Sequence, residues 1–381
     1  MIAPNPADPP AGTGSAAATA AASAAARRRP GQPPPAQLVC VALSPSIDVT
    51  YVVPELVVGT IHRPTGVYRV PGGKGFNVAR AAHTLGASVV ATGVLGGDSG
   101  AWMVAMLART GIRMAPVTGA RPTRTCVSIA DQSAGGLTEF YEPPPMITPK
   151  AWSHLLATVA RICEERPSWV SLSGSLPPGP VPEALADLVA AAKGAGARVA
   201  VDTHSTALAA AVGAGADLLK VNVEEAAAVL GQGHGTGYTP ALPREQGIPT
   251  DQGIRPATAG GDANTDANDP ASLAGRLLAA SPGTDLAIVT AGADGAVLAR
   301  RDGTGLHLYL DVRGDYPVGS GDSFLGGLLT ALAHAPDEIE AAARLAVGAG
   351  AANALTPGAG ILDAGTAREL ADRVVVTRIT F

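Results

Sequence analysis

The sequence contains few aromatic residues and few cysteines, and each shortage excludes a class of protein. Phe, Trp and Tyr together make up 3% of the 381 residues, whereas hydrophobic residues of all kinds make up 46%. The core is therefore expected to consist of Ala, Val and Leu. The 3 cysteines, Cys40, Cys126 and Cys163, are too widely spaced for a disulfide framework or a cysteine-rich zinc site. This cysteine usage suits a reducing compartment, so we expect a cytoplasmic protein.

Long hydrophobic runs and an excess of positive charge are also missing. No apolar run reaches the roughly 18 residues that a membrane span needs. Three arginines at positions 27–29 are followed by a proline-rich stretch rather than by the apolar segment of an export signal. The formal net charge is −5, which argues against a general nucleic-acid-binding surface. We therefore expect neither a membrane nor a nucleic acid as a partner.

Two segments lack the apolar residues that a folded core requires. Residues 1–36 consist mainly of Ala, Pro, Gly and Ser, and we expect a disordered Ala/Pro-rich tail there. Residues from about 231 to 268 are rich in Gly, Pro, Thr, Asp and Gln and show neither a helical nor a strand period. We interpret them as a disordered insertion within one domain of residues 37–381, because strand and helix patterns resume on both sides.

Short apolar runs alternate with helical patterns in the remaining sequence. This alternation predicts an α/β fold with a doubly wound, mainly parallel sheet and helices on both faces. The predicted strands cover residues 38–43, 89–94, 169–173, 198–202, 217–221 and 286–290, and the predicted helices cover 78–85, 100–110, 181–193 and 321–333. Residues 47–70 and 125–142 interrupt the alternation with β-type patterns, so we expect extra strands there that form a small lid.

A glycine-rich segment leads into the first predicted helix. It has the sequence Pro-Gly-Gly-Lys-Gly-Phe-Asn at residues 71–77. Glycines at a helix start let the backbone approach a bound group closely, and Lys74 and Asn77 add a cation and a hydrogen-bonding amide. A simple loop or helix cap remains the alternative for this segment.

A second glycine-rich segment, Val-Gly-Ser-Gly-Asp-Ser-Phe at residues 318–324, leads into the last predicted helix. The backbone N–H groups of Gly319, Ser320 and Gly321 are expected to converge at the helix N-terminus and to favour negative charge. The neighbouring carboxylate of Asp322 is suited to accept a proton from a substrate hydroxyl. A base beside an anion site suits phosphoryl transfer. The alternative is that Asp322 only caps the helix.

Several other kinds of site are disfavoured by their motifs. The chain contains no G-x-x-x-x-G-K-[ST] sequence, which excludes a P-loop enzyme. Neither glycine-rich segment fits G-x-G-x-x-G with an acidic residue about 20 positions later, which disfavours a dinucleotide site. The 7 histidines show no metal-ligand spacing.

The two glycine-rich segments occur together with further motifs. In chain order these are S-P-S-I-D at 44–48, G-G-K-G-F-N at 72–77, L-G-G-D-S-G at 95–100, T-R at 123–124, S-G-S-L-P-P-G at 173–179, K-V-N-V-E-E at 220–225 and G-S-G-D at 319–322. In this combination the chain resembles the PfkB (ribokinase-like) carbohydrate kinase family over about residues 37–372, without the insertion. Within the family it is similar to the branch of 1-phosphofructokinases, tagatose-6-phosphate kinases and minor 6-phosphofructokinases.

The resemblance implies a ribokinase-like fold, a small β-sheet lid over the sugar, ATP and Mg²⁺, and a homodimer formed through the lids. It implies Asp322 as the base that deprotonates the acceptor hydroxyl, beside an anion hole of Gly319, Ser320 and Gly321. The family's sugar-binding positions match Asp48, Gly72, Gly73 and Asn77. Its ATP-binding positions match Lys220, Asn222, Thr290, Gly292, Gly295 and Asn353. Its N-x-x-E motif matches Asn222 and Glu225, which would serve Mg²⁺ through water.

The spacing of Asn222 and Glu225 agrees with that role. Residues three apart at a helix start share a face, and an amide with a carboxylate suits Mg²⁺, a hard cation that keeps several waters. The alternative for Glu225 is a solvated helix face.

A phosphorylated sugar requires fixed cations, and arginine pairs with phosphate through two hydrogen bonds. Arg124 and Lys74 are the candidates, and Arg63 is a third, for which a solvated surface position is the alternative. Arg124 matches the phosphate-binding position of the branch. The resemblance thus implies an ATP-dependent phosphotransferase that acts on the alcohol group of fructose 1-phosphate, with fructose 6-phosphate or tagatose 6-phosphate as alternative acceptors. A catalytically silent sugar-phosphate sensor is the hypothesis from another class.

The chain departs from the family pattern around its second glycine-rich segment. Ser320 stands where the family usually has alanine, a small change that should keep the backbone donors. Residues 314–317 differ from the usual Asn-Thr or Asp-Thr, and Pro317 fixes φ and removes a donor. We therefore expect an altered backbone just before the anion hole.

Overall fold

The computed structural model describes residues 37–133, 136–231 and 268–381. The predicted tail 1–36 and the predicted insertion, apart from its end residues Gly231 and Asn268, lie outside the described residues. None of the helices in the described ranges is long and apolar enough to cross a membrane.

One large mixed sheet of eleven strands runs through the described part of the chain. Its strands are β1 (Leu38–Ala42), β4 (Val89–Leu95), β5 (Arg113–Met114), β6 (Val117–Thr118), β9 (Trp169–Ser173), β10 (Arg198–Asp202), β11 (Leu218–Asn222), β12 (Leu286–Thr290), β13 (Ala296–Arg300), β14 (Thr304–Tyr309) and β15 (Val375–Thr380). The spatial order is β15-β14-β13-β12-β11-β10-β9-β1-β4-β5, and β6 also pairs with β4. Pairing is parallel from β5 and β6 to β12 and antiparallel from β12 to β15. This confirms the predicted mainly parallel sheet.

Helices cover both faces of this sheet, as predicted. They are α1 (Lys74–Thr84), α2 (Gly97–Arg109), α3 (Pro149–Cys163), α4 (Ala184–Gly194), α5 (Ser205–Gly213), α6 (Val223–Gly231), α7 (Pro270–Ala280), α8 (Ser320–His334), α9 (Ile339–Ala354) and α10 (Ala364–Asp372). One core cluster joins α1, α2 and α8–α10 to the face that carries Leu38 and Cys40. The other joins α3–α7 to the face that carries Val39 and Val41. The central strands are mostly apolar because both of their faces are buried.

Four further strands form a second, mixed sheet, which is the predicted small sheet. They are β2 (Ser46–Val53), β3 (Gly66–Gly72), β7 (Arg124–Asp131) and β8 (Gly136–Tyr141), in the order β3-β2-β7-β8. The register pairs Asp48 with Cys126 and Ser46 with Arg124. Because side chains alternate along a strand, one face of this small sheet is directed to the main sheet and the other is left exposed.

The structure differs from the sequence predictions mainly at the ends of elements. Helix α1 begins at Lys74 rather than at 78, and α8 begins at Ser320, so both glycine-rich segments enter the first helical turn. Helix α4 begins at Ala184 rather than at 181, because residues 181–183 form a turn in which Val181 O accepts from Ala184 N. Strands β5, β6 and β13–β15 and helices α3, α5, α7, α9 and α10 were not predicted.

Candidate active site

A cavity of about 1260 Å³ lies between the small sheet and the carboxyl ends of the parallel strands. Ligand sites of open α/β sheets occur at this edge. Most of the predicted site residues line the cavity: Asp48, Gly73, Lys74, Asn77, Arg124, Lys220, Asn222, Glu225, Thr290, Gly292, Gly295, Gly319, Ser320, Gly321 and Asp322. Gly72, Arg63 and Asn353 are not among the lining residues.

Asp322 lies in the first turn of α8 with its carboxylate almost fully buried. The amide Nδ2 of Asn77 donates to Asp322 Oδ2 at 2.8 Å. Burial, and next the negative charge of Asp202, raise the pKa of Asp322 to about 7, against the effect of Lys74, Lys220 and the Asn77 bond. A carboxylate with this proton affinity is matched to accept a proton near neutral pH.

The anion loop, residues 319–321, precedes and begins α8. Gly319 has φ of 85°, and a Cβ at this position would lie 2.6 Å from the backbone nitrogen of Gly360, so only glycine fits. Ser320 N–H donates to Pro317 O at 3.1 Å, which corrects the expectation that its amide serves the anion hole. The amides of Gly321 and Asp322, second and third in the helix, have no intrahelical acceptor and remain as donors.

Asp202, which the sequence analysis missed, holds two lysines at the centre of the cavity floor. It is fully buried at the end of β10. Its Oδ1 accepts from Lys74 Nζ and its Oδ2 accepts from Lys220 Nζ, both at 2.7 Å. Burial alone would raise the pKa of Asp202, but the two ammonium groups hold it below the ordinary value. The available signal was an aspartate at the carboxyl end of a predicted parallel strand.

Lys74 was named as a candidate for the substrate phosphate, and in the structure its ammonium group pairs with two carboxylates. Its Nζ contacts Asp202 and, at 3.4 Å, Glu225 Oε1. Burial would lower the pKa of Lys74, but these carboxylates outweigh it and raise the pKa above its ordinary value. Lys220 lies beside the anion loop, because a Cβ on Gly321 would stand 2.8 Å from Lys220 Nζ. This lysine can therefore face a group bound at the loop.

The residues predicted to bind sugar surround the carboxylate of Asp48. Asp48 Oδ1 accepts from Ser46 Oγ at 2.6 Å and Oδ2 accepts from Gly73 N–H at 3.3 Å. A Cβ on Gly72 would lie 2.0 Å from Asp48 Oδ2, so Gly72 makes room for this carboxylate rather than lining the cavity. Desolvation raises the pKa of Asp48. The buried Ser44 hydroxyl lines the same region and has no partner within the described ranges, which leaves it available to a ligand.

Arg124 and Arg63 differ in position. Arg124 begins β7 and lines the cavity, with Nη1 donating to Glu142 O at 2.8 Å. Arg63 is exposed in the loop between β2 and β3 and does not line the cavity, so the structure supports the alternative of a surface position.

The other end of the cavity is formed by the ends of β11 and β12. Thr290 Oγ1 donates to Val221 O at 3.3 Å, and the turn that follows carries Gly292 and Gly295 along the cavity. Because these glycines have no side chains, a flat part of a ligand can approach their backbone closely.

Asn222 and Glu225 form a reciprocal cap at the start of α6. Glu225 N–H donates to Asn222 Oδ1 at 2.7 Å and Asn222 N–H donates to Glu225 Oε2 at 2.9 Å. Each oxygen keeps a second lone pair, so the pair fits Mg²⁺ that retains its waters. The described segments contain no group of three or more His, Cys, Asp or Glu that could hold an ion directly.

Asn353 was predicted beside the nucleotide, but it is fully buried within α9. Its Oδ1 accepts from Ser323 Oγ at 3.0 Å and from Gly360 N–H at 2.7 Å, and its Nδ2 donates to Val318 O at 2.9 Å. The side chain is thus used to support the anion loop from behind. The sequence analysis also missed Arg80, a buried residue of α1 that donates to Asn77 Oδ1. Its signal was an arginine between pairs of small apolar residues, Val78-Ala79 and Ala81-Ala82.

Comparisons with known proteins agree with this geometry. The profile of the pfkB family carbohydrate kinases matches residues 35–364. A 1-phosphofructokinase from Rhodobacter capsulatus is 33% identical over 299 residues, which cover 77% of this chain and 83% of the relative. The structure of Escherichia coli phosphofructokinase-2 in complex with fructose-6-phosphate has a TM-score of 0.71 at 25% identity and covers 88% of this chain and 98% of that chain. A possible 1-phosphofructokinase from Thermotoga maritima has a TM-score of 0.73 at 21% identity, over 90% and 99% of the two chains, and supports the fold.

Proposed function

The chain belongs to the pfkB family of carbohydrate kinases, and from this membership we propose that it phosphorylates fructose 1-phosphate with ATP. It is a phosphotransferase with an alcohol group as acceptor. The observation that carries the proposal is one cavity that joins a buried base, Asp322, and an adjacent anion loop to the cationic side chain of Arg124. The 33% identical relative, named a 1-phosphofructokinase, supports the choice of acceptor. The product is fructose 1,6-bisphosphate.

Each group has a defined task in this mechanism. Asp322 accepts the proton of the primary hydroxyl as the hydroxyl oxygen attacks the γ-phosphorus of ATP; the bond from that phosphorus to the β–γ bridging oxygen breaks, and ADP leaves. The free amides of Gly321 and Asp322, with the ammonium of Lys220, stabilise the charge on the transferring group. Asp48 binds sugar hydroxyls and fixes the orientation of the acceptor.

ATP is the co-substrate, and we propose that it occupies the end of the cavity lined by Thr290, Gly292 and Gly295. When bound with ATP, Mg²⁺ neutralises phosphate charge, and Asn222 and Glu225 would hold its water shell. The three buried free cysteines support a cytoplasmic location.

An ADP-release assay against a panel of acceptors tests the proposed function. The panel holds fructose 1-phosphate, fructose 6-phosphate, tagatose 6-phosphate, free fructose, ribose and adenosine, each with ATP and Mg²⁺. We expect kcat/KM for fructose 1-phosphate to exceed the others by about a hundredfold. A preference for fructose 6-phosphate or tagatose 6-phosphate would correct the acceptor but keep the mechanism. Sugar-phosphate binding without any turnover would replace the kinase by a sensor.

Arg124→Ala is expected to raise KM for the phosphorylated sugar by about 10–100-fold, the usual range for a lost charge-assisted hydrogen bond, with little change in kcat. Steady-state kinetics at saturating ATP measure this split. Arg121→Ala is the matched control, because Arg121 is exposed three residues away and does not line the cavity. An unchanged KM in Arg124→Ala would show that the phosphate binds elsewhere.

We also propose that two copies associate through the small sheet. The loop between β2 and β3 exposes Val58 at 96% and Ile61 at 86%, and the two edge strands of the small sheet, β3 and β8, expose Val67 and Phe140. Several large apolar side chains exposed on one small sheet and its loop support an interface there. Light scattering should give a dimer mass for the wild type and a monomer mass for the Val58→Glu/Ile61→Glu variant. Val375→Glu, on exposed edge strand β15, should remain dimeric; a monomeric wild type would refute the interface.

A further inference from the structure

Arg80 is a buried arginine that connects three segments of the site. It lies in α1, one turn after Asn77, and is 8% exposed. Its Nη1 donates to the carbonyl of Pro71 in β3, and its Nη2 donates to Asn77 Oδ1 at 2.8 Å and to the carbonyl of Ala359. Ala359 belongs to the segment packed against Gly319, since a Cβ on that glycine would lie 2.8 Å from Ala359 Cα. The guanidinium therefore joins the small sheet, α1 and the support of the anion loop.

The contact with Arg80 determines which way the Asn77 amide faces. A guanidinium carries only N–H donors, so the Asn77 atom bonded to it must be the oxygen, Oδ1. The amide nitrogen is then directed to Asp322, where it donates to Oδ2 at 2.8 Å. An amide released from Arg80 could turn its oxygen toward the carboxylate, which would replace an attractive contact with a repulsive one.

We propose that Arg80 is a positioning residue that fixes the Asn77 amide with its N–H group, rather than its carbonyl oxygen, facing the base Asp322. Arg80 does not line the cavity, so it acts through Asn77 and not on the substrate. The inference rests on the proposed role of Asp322 as the base.

The charges around Asp322 come from several elements. Lys74 begins α1, Asp202 ends β10 and Lys220 lies in β11, while the Asn77 bond is one of the contributions that lower the pKa of Asp322. Loss of that bond therefore raises the pKa of Asp322 while the lysines and Asp202 stay in place. Burial lowers the pKa of Arg80 itself to about 10, although Asp48 and Asp322 oppose this, so Arg80 is charged at neutral pH.

The experiment compares the pH dependence of kcat in wild type, Arg80→Lys, Asn77→Ala and the double variant, with ATP and the best acceptor of the panel. Lysine keeps the positive charge but cannot reach all three acceptors of the guanidinium. For Arg80→Lys we expect the acid limb of kcat to move up by about half a pH unit, which makes kcat about threefold lower at pH 6, about twofold lower at pH 7 and nearly normal at pH 9. In the Asn77→Ala background, Arg80→Lys should add no further shift.

Two results would overturn the inference. One is a loss of kcat by the same factor at every pH, which a general structural defect would produce; the other is a shift that persists without the Asn77 amide. If Arg80→Lys does not fold, Asn77→Ser carries the test, since it keeps Arg80 and its two carbonyl contacts. An acid limb of kcat that stays in place in Asn77→Ser would equally contradict the inference. Asp322→Asn distinguishes a failure of the proposed base from a failure of the inference about Arg80. An active Asp322→Asn enzyme refutes Asp322 as the base, whereas an inactive one leaves only the role of Arg80 in question.

Discussion

Asp322→Asn should lower kcat by about 10³-fold or more, because a positioned general base contributes roughly 10²–10⁴-fold and the amide cannot accept the proton. The substitution keeps the size of the side chain, and the amide oxygen of the new residue can still accept from Asn77. Binding of ATP and of the sugar should therefore change little. Steady-state kinetics with the best acceptor measure kcat, and fluorescence titration measures both affinities.

The stability of Asp322→Asn shows whether the loss is chemical. Folding raises the pKa of Asp322 to about 7, above the ordinary carboxyl value near 4. The protonated form therefore favours the folded state, and this contribution is full at low pH and is lost as the pH rises toward 7. Asparagine has no such loss, so Asp322→Asn should be at least as stable as wild type at pH 8. Thermal unfolding across this pH range checks the trend.

Two further measurements complete this test. The wild-type kcat should fall about tenfold per unit below pH 7, because only the ionised carboxylate accepts the proton. Asp98→Asn is a matched control, since Asp98 also lies in a first helical turn but is exposed and outside the cavity. It should keep wild-type kcat. Activity of Asp322→Asn within tenfold of wild type would mean that the base lies elsewhere.

The sequence predicted the centre of the main sheet well because its strands are short, mostly apolar runs rich in valine and leucine. Residues 169–173, 198–202 and 286–290 coincide with β9, β10 and β12, each buried on both faces. Strands β14 and β15 were not predicted, since they combine exposed and polar positions in short runs. Their strand character comes from antiparallel pairing along the sheet edge, which a local pattern does not reveal.

The candidate site was predictable where its catalytic or binding residues lie close together in the sequence as one motif. Asp322 and the anion loop lie within four consecutive residues, and Asp48 and Arg124 lie near the starts of neighbouring strands of the small sheet. Asp202 and Asn353 could not be assigned in this way, because their roles depend on partners that only tertiary folding brings near. Asp202 meets Lys74 across 128 residues, and Asn353 meets Val318 across 35. Lys74 illustrates the same limit, since its motif identified the segment but not the direction of its ammonium group.

Charged side chains are concentrated at and behind the cavity floor. The carboxylates of Asp48, Asp202 and Asp322 interact there with the cations Lys74, Lys220 and Arg80. Asp202 makes two direct ion pairs, both at 2.7 Å. Removing one partner of a buried ion pair is costly because the other charge stays behind. Asp202 is thus the position at which one substitution should disturb both lysines and the base together.

Asp202→Asn should lower kcat by about 10²–10³-fold, the range for a displaced charge-stabilising group, because both lysines lose their shared carboxylate. The free energy of unfolding should also fall, by about 3 kcal/mol, since Lys220 is left nearly buried without a counter-charge. A third effect, on the pH dependence of kcat, distinguishes this variant from one with a general structural defect. The charge of Asp202 raises the pKa of Asp322, so its removal should move the acid limb of kcat to lower pH.

Asp217→Asn provides the matched control for this triple result. Asp217 also pairs with a lysine, Lys193 at 2.9 Å, but it precedes β11 at the opposite edge of the sheet from the cavity. Its replacement should reduce stability without moving the acid limb or kcat. An Asp202→Asn enzyme with an acid limb unchanged or moved to higher pH would show that the two carboxylates are not electrostatically linked. A kcat close to wild type would show that Lys74 and Lys220 keep their catalytic positions without Asp202.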